Sequence, residues 1–406
     1  MNKNMNNSIG KSILGIILFW VVLFTSCKHQ VEKDGDMIGP FYVAPTEGFK
    51  ITKDTMYLST KTPEFANRLN PLNIRAGFNQ KVSWFVKING LTSKAYKSFT
   101  GLGDTINADW NGVSENIYFF KKGEKCSITL SIYGDDKFTI IDTINIETVF
   151  RYGGTGGNPL SYRSEPLGGI IYHFIDDLER YPDTLLGLSA FGPDLADDDC
   201  IGCVDQRDPV DPVQGNYSYR LSGLDNNGNT YVGSMNTDKI YALGKRISSG
   251  ISNDDLYVNF YLYGDGSNSS TSIIVFAYEM DKLTYFNKLK NKTGQDSVTV
   301  RENLSWPVSS SIFNTYSDQK FTLDQTINDK WQATVNVNWT GWRLISLKYS
   351  EFKKPTLNSG LGGGDKQAER LCGLAFELDD NPSSGKKVFC KIDYVTVTEN
   401  GKFKQQ

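Results

Sequence analysis

Between Lys81 and Gly90 apolar and polar positions alternate. Val82, Trp84, Val86 and Ile88 fall on one side, Ser83, Phe85 and Lys87 on the other. The same period of two returns in Cys126, Ile128, Leu130 and Ile132 against Ser127, Thr129 and Ser131. Successive side chains of a strand point to opposite faces, so each run predicts a strand with one buried face. The run Phe138 to Ile146 follows the turn Gly134-Asp135-Asp136 and predicts the second arm of a hairpin. Residues 37–150 therefore read as a domain of short strands, the size of one immunoglobulin-like sandwich. Trp84 reads as core, while Trp110, in the turn-like Asp109-Trp110-Asn111-Gly112, is the more open of the two. Residues 151–169 are glycine-rich with little to bury and mark a domain boundary. Further strands fill 170–400. In one of them Tyr257, Asn259, Tyr261 and Tyr263 share a face, and Val258, Phe260 and Leu262 share the other. The apolar set predicts core, and the aromatic–polar set predicts the open concave face of a sheet. The fold class expected is all-β, with a larger sandwich following the smaller one.

Composition agrees with this and narrows the chemistry. Aromatics make up 13% of the chain, with 21 Tyr, 23 Phe and 38 Gly, as expected for many strands joined by tight turns. A net charge of −3 with no basic run argues against a nucleic-acid partner. The two histidines, His29 and His173, argue against a multi-histidine metal site. No Gly-x-Ser-x-Gly elbow, phosphate loop or metal-binding His pair is present, and most acids lie in turns, so the expectation is a non-catalytic protein with no catalytic residues.

The amino terminus is of another kind. Lys3 and Lys11 precede an apolar run from Ile13 to Phe24, then Thr25, Ser26 and Cys27. This has the charge, greasy core and small exit residues of a signal peptide over 1–26. Leu-Phe-Thr-Ser-Cys resembles the lipobox of bacterial lipoproteins, with Phe24 where many members carry Leu. The resemblance implies lipidation of Cys27 and anchoring in the outer membrane. Residues 27–36 form a charged tether similar to the leaders of Bacteroidetes lipoproteins. Such leaders can direct export to the cell surface, and the alternative reading is a plain spacer.

Five cysteines remain. Cys372 shares parity with Leu374, Phe376 and Leu378, and Cys390 with Val388, Ile392 and Tyr394, so a hairpin through 379–386 would face both sulfurs to the core. Either a cross-strand disulfide or two buried thiols satisfies that pattern. Cys200-Ile-Gly-Cys203 sits among aspartates and reads as a small loop-closing disulfide, not as a redox pair.

The second domain opens Tyr-His-Phe-Ile-Asp-Asp-Leu-Glu at Tyr172, carries Gly341-Trp-Arg-Leu late, and closes Cys-Lys-Ile-Asp-Tyr-Val from Cys390. In this order it resembles carbohydrate-binding modules of the galactose-binding-like jelly-roll type. The resemblance implies a structural calcium at Asp176, Asp177, Glu179 and Asp393, hard oxygen donors of the kind calcium needs. Sugar recognition needs flat rings beside planar polar groups. Tyr257, Asn259, Tyr261, Tyr263 and Trp339 are the ligand-binding candidates, with Trp342 structural. The function expected is a surface lipoprotein that captures glycan through its C-terminal domain, similar to glycan-binding lipoproteins of Bacteroidetes polysaccharide uptake, with outer-membrane transport proteins as possible partners. The alternative is a structural or adhesive envelope lipoprotein that binds other proteins.

Overall fold

The computed structural model describes residues 42–52, 56–66, 70–150, 152, 165–176, 178–179, 200–225, 231–236, 247–267, 271–279, 329–355, 365–379 and 386–405. The signal segment, the tether, most of the glycine-rich stretch and the aspartates at 194–199 lie outside them. Among the described residues, all regular structure is strand apart from two single turns of 3-10 helix.

The N-terminal strands are β1 (Tyr57–Leu58), β2 (Leu72–Gly90), β3 (Tyr96–Trp110), β4 (Lys125–Ile132) and β5 (Asp135–Asn145). They hydrogen-bond as one antiparallel sheet, whereas an immunoglobulin sandwich divides its strands between two. The long β2–β3 ribbon shifts register between Gly77 and Val82, and residues from both halves enter one buried cluster. The alternation holds as expected: Val82, Val86, Ile88, Cys126, Ile128, Leu130 and Ile132 are buried and Trp84 packs against them. Gly101 lies opposite Trp84, and a side chain there would strike the indole ring. The β4–β5 turn is Tyr133-Gly134, one residue earlier than the spacing predicts. Trp110 is a correction. It is buried, edge-on to Phe65 and Phe120 at 4.7 Å each, with its Nε1 donating to the Val113 carbonyl at 2.9 Å.

The C-terminal strands are β6 (Glu165–Leu167), β7 (Ile170–Asp176), β8 (Cys200–Asp208), β9 (Ser218–Asp225), β10 (Tyr231–Asn236), β11 (Leu256–Asp265), β12 (Ser272–Glu279), β13 (Asp329–Asn336), β14 (Thr340–Lys348), β15 (Leu371–Asp379) and β16 (Val388–Glu399). They form a sandwich. One sheet runs β10-β15-β12-β13; the other has seven strands around β16. There β11 flanks one side of β16, while the other side is shared end to end by β9, against Val388–Ile392, and β7, against Val395–Glu399. Val258, Phe260 and Leu262 of one sheet and Val275, Leu374, Phe376 and Leu378 of the other build the core, with Phe260 edge-on to Phe376 at 5.0 Å.

The expected hairpin between Cys372 and Cys390 is corrected. β15 and β16 belong to opposite sheets, and Cys390 is a free thiol buried in the core. Burial pushes that thiol above its ordinary range, so it is held neutral and unreactive. Cys200 and Cys203 open β8 and do not form a loop; their side chains, like that of Cys372, lie outside the description.

The two cores meet at an aromatic seam. Phe119 follows β3 in the chain yet belongs to the C-terminal cluster, with ring centroids 4.8 Å from Tyr394, 5.9 Å from Tyr261 and 6.3 Å from Tyr152 and Phe403. Its backbone N–H donates to Val213 at 3.0 Å. From the other side Gln405 donates to the carbonyls of Asn116 and Ile117 at 3.3 Å.

Candidate functional site

The stripe Tyr257, Asn259, Tyr261 and Tyr263 does share one face of β11, as the alternation requires, but the middle of that face is closed. Tyr261 is 2% exposed, beneath Phe119 and Phe403, and burial pushes its hydroxyl above the usual range. Asn259 is 1% exposed; its Nδ2 donates to Thr398 Oγ1 and its Oδ1 accepts from the Phe403 N–H. Tyr263 is half-buried between Trp342, Phe389 and the Lys391 ammonium. Lys391 in turn pairs with Asp208 at 2.9 Å and donates to the Val210 carbonyl, so the 208–217 segment seals this end. Tyr257 is half-buried at the margin. Trp339 is 8% exposed, with Nε1 donating to Gly341 and the Arg343 guanidinium 4.7 Å above its ring. Asn259 and Tyr261 are therefore packing and bracing residues, and Trp339 is largely buried with its indole N–H already spent on Gly341. Trp342 is structural, as expected, its Nε1 donating to the Asp211 carbonyl at 2.8 Å.

The outer face of the four-stranded sheet is different. Register places Ser234, Glu377, Ile274 and Thr334 in one row across β10, β15, β12 and β13, and Ala375, Phe276 and Gln332 in the next. Tyr278 and Lys330 follow, and Asp379 stands beside Ser272 at the opposite end. At about 4.8 Å per strand this row spans about 14 Å. Ile274, Tyr278, Lys330, Gln332, Glu377 and Asp379 are half-buried and Thr334 is exposed. The Lys330 ammonium lies 3.6 Å from the Phe276 ring centroid and 5.8 Å from that of Tyr278. Burial lowers the Lys330 pKa and raises that of Glu377, their mutual attraction opposing both shifts. Burial, then the charge of Glu377, pushes Asp379 up to about 7. A ring, an amide, an ammonium and two carboxyl groups on a sheet face this wide can stack on and hydrogen-bond a flexible polyhydroxylated chain.

These residues were missed in the sequence. Ser272–Glu279 reads Ser-Ile-Ile-Val-Phe-Ala-Tyr-Glu, a nearly continuous apolar run whose two faces look alike. Glu377 and Asp379 did carry a signal, since they alternate with Phe376 and Leu378.

Because the Asp379 pKa is raised, its contribution to stability is fully present below the ordinary value of 3.8 and is lost as pH rises through about 7. Discounted for its solvent contact, the loss is about 2 kcal/mol. Asp379→Asn is expected to flatten the decline of folding free energy over that window, as read by urea melts across pH; an unchanged slope would show that Asp379 is ionised throughout.

A second polar cluster sits on β16 between the start of β9 and the end of β7. There a bulge turns Tyr394 to φ 44, a left-handed conformation costly for a non-glycine residue and held by the aromatic seam. Tyr394 Oη accepts from the Tyr152 N–H at 3.1 Å. The bulge leaves Asp393 in the gap, fully buried. Its Oδ2 accepts from Val213 and Gln214 N–H at 2.7 and 3.1 Å, and its Oδ1 has no hydrogen-bond partner. Burial holds its carboxyl well above the usual range, and nearby Glu179 adds to this. Glu179 accepts from the Asn216 and Tyr217 N–H groups, and Gly215 passes so close that any side chain would overlap the carboxylate. Asp176 pairs with Val395 beside this gap; its side chain and that of Asp177 lie outside the description. Among the described residues, no group of three or more His, Cys, Asp or Glu side chains converges as a metal site. The unpartnered Asp393 Oδ1, buried beside a second carboxylate, does fit a hard cation completed by backbone carbonyls.

No protein-family profile matches the chain, and no curated protein matches it in sequence. Among solved structures, it is similar to one described as showing the structural basis for the promiscuous specificity of carbohydrate-binding modules from the β-sandwich superfamily. Identity is 8%, coverage is 86% of this chain and 98% of that one, and the TM-score is 0.30. A second is SGBP-B from a complex xyloglucan utilization locus in Bacteroides uniformis, with 11% identity, coverage of 86% and 73%, and a TM-score of 0.29. A third is a family 11 carbohydrate-binding module from Clostridium thermocellum, in complex with a β-1,3-1,4-mixed-linked tetrasaccharide, at 10% identity, 52% and 94% coverage and a TM-score of 0.26.

Proposed function

We propose that the chain is a lipid-anchored, non-catalytic envelope protein at the cell surface, which binds glycan on the outer face of its β10-β15-β12-β13 sheet. The observation that carries this reading is the row of half-buried Tyr278, Lys330, Gln332, Glu377 and Asp379 beside Phe276, set against an opposite sheet whose outer face is buried at Asn259, Tyr261 and Asp393. Half-burial matters because a polar group already partly desolvated and positioned loses less on meeting a ligand. Tyr278 offers a ring face to sugar C–H groups, Lys330 donates, and Glu377 and Asp379 accept; near neutral pH the raised Asp379 also donates.

Anchoring rests on Cys27 and the apolar run before it. Cys27→Ala is expected to abolish incorporation of labelled palmitate and to move the protein from membrane to soluble fractions; retained label in the variant would refute the assignment. Two or three acyl chains, at about 0.8 kcal/mol per buried methylene, make such attachment stable.

Asp393 and Glu179, with Asp176 and Asp177, hold a structural calcium that ties the end of β7 to β16. The ion supplies the positive charge that the buried Asp393 carboxylate lacks. Chelation is expected to lower the melting temperature of the wild type, and Asp393→Asn to remove that sensitivity; identical melting with and without chelator would contradict it.

A further inference from the structure

The outward face of the β3–β2–β4–β5 sheet carries four exposed large apolar side chains, Phe85, Leu102, Tyr133 and Ile141, at 36, 55, 52 and 67% exposure. Register gathers them. Leu102 lies opposite Ser83, whose carbonyl accepts from the Tyr133 N–H at 2.9 Å. Phe85 is the next outward residue along β2, and Ile141 pairs with Thr129, itself opposite Lys87. The remaining outward positions from Ser83 to Asn89, Tyr96 to Leu102, Lys125 to Tyr133 and Thr139 to Asn145 are Ser, Thr, Asn, Tyr96 and two lysines, Lys87 and Lys125, with no acidic residue. Solvated protein surfaces mix charges of both signs and scatter their apolar groups. Here the apolar groups cluster and the strand positions between them carry only lysines as charged groups, with Glu115, which accepts from Ser98 Oγ, and Asp135, at the start of β5, lying at the margin.

The amino-terminal segment joins the fold at the same place. The Ser83 N–H donates to the Val43 carbonyl at 2.9 Å and the Val43 N–H to Ser83 Oγ at 2.8 Å, and Tyr42 and Val43 are themselves exposed. Only 15 residues (42 − 27) separate Cys27 from Val43. Fully extended they reach about 50 Å. We infer that this sheet face docks on the lipid bilayer that holds Cys27, laying Phe85, Leu102, Tyr133 and Ile141 into the headgroup region with Lys87 and Lys125 against anionic lipid. The inference rests on the lipid anchor proposed above. A short tether keeps the face at high effective concentration beside the bilayer, so contacts too weak to bind a free protein suffice.

The test uses residues 28–406, within which Val43–Gln406 is a compact unit by itself. The chain is held by an amino-terminal His-tag on phosphatidylethanolamine–phosphatidylglycerol vesicles containing nickel-chelating lipid. This tether replaces the acyl chains, so an error in the Cys27 assignment leaves the result unchanged and shows instead in the palmitate label. Ile141→Trp is compared with Ser267→Trp, in the exposed turn after β11, using brominated lipid as quencher and the wild-type emission as baseline. The added emission is expected to fall several-fold at position 141 and not at 267, and the quenching to vanish when Phe85→Asp and Leu102→Asp are added with the melting temperature unchanged. Equal quenching at the two positions would overturn the inference. So would a dimer in sedimentation that the same two aspartates dissolve, because the face would then be a contact between copies.

Discussion

Phe119→Ala is expected to destabilise the C-terminal sandwich by about 3–5 kcal/mol, although Phe119 lies outside that sandwich's strands. The ring fills the space among Tyr152, Tyr261, Tyr394 and Phe403. Nothing nearby collapses easily into the hole, since each of these side chains is itself held: Tyr394 by the Tyr152 N–H and its bulge, Phe403 by Asn259, and Tyr261 within the sheet. Edge-on and tilted ring pairs also contribute beyond their buried area, by about 0.5–1.5 kcal/mol each. The wild type is expected to unfold in guanidinium as one transition, and the variant as two, because the seam is what couples the cores. Tryptophan emission followed beside far-ultraviolet dichroism reads this directly. A loss below about 1 kcal/mol with the transition still single would mean that the cores are coupled elsewhere.

The seam also explains which parts of the fold were legible in the sequence. Alternation assigned Val82–Ile88 and Cys126–Ile132 to the right faces, and separated Val258, Phe260 and Leu262 from Tyr257, Asn259, Tyr261 and Tyr263, because period-two burial is a local property. What lies over a face is not local. The tyrosine stripe has the composition of an open ligand platform and is nevertheless covered at its middle, by Phe119 from the segment between β3 and β4 and by Phe403 from beyond β16. In the same way, parity placed Cys390 in the core correctly but could not say which sheet its strand joins. The short connection from Asp379 to Val388 serves a hairpin or a crossing of the roughly 10 Å between sheets equally well, and here it crosses. The half-buried face of β12 escaped for the opposite reason, since a strand apolar on both sides gives no alternation to read.

Tyr278→Ala is expected to weaken glycan binding at least about tenfold, or about 1.4 kcal/mol, while leaving the melting temperature nearly unchanged. Tyr278 is half-buried on the outer face, so its loss opens no cavity between the sheets; the core neighbour Ala277 faces the other way. Removing the ring takes the stacking surface and exposes Lys330, which is lodged against it and Phe276. Glu377→Ala acts on the same row, by removing an acceptor and leaving the Lys330 charge unbalanced. Tyr261→Ala should behave in reverse, with a lower melting temperature and no specific effect on binding at temperatures where the fold survives. The contrast separates a ligand face from a packed one.

The most direct measurement is a glycan array probed with the wild type, Tyr278→Ala and Glu377→Ala, each first shown to be folded. The expected result is binding by the wild type to a restricted set of glycans, with those signals lost in both variants. Silence of the wild type across plant, host and microbial glycans, or signals that both variants retain, would contradict the assignment of the β10-β15-β12-β13 face as a sugar site.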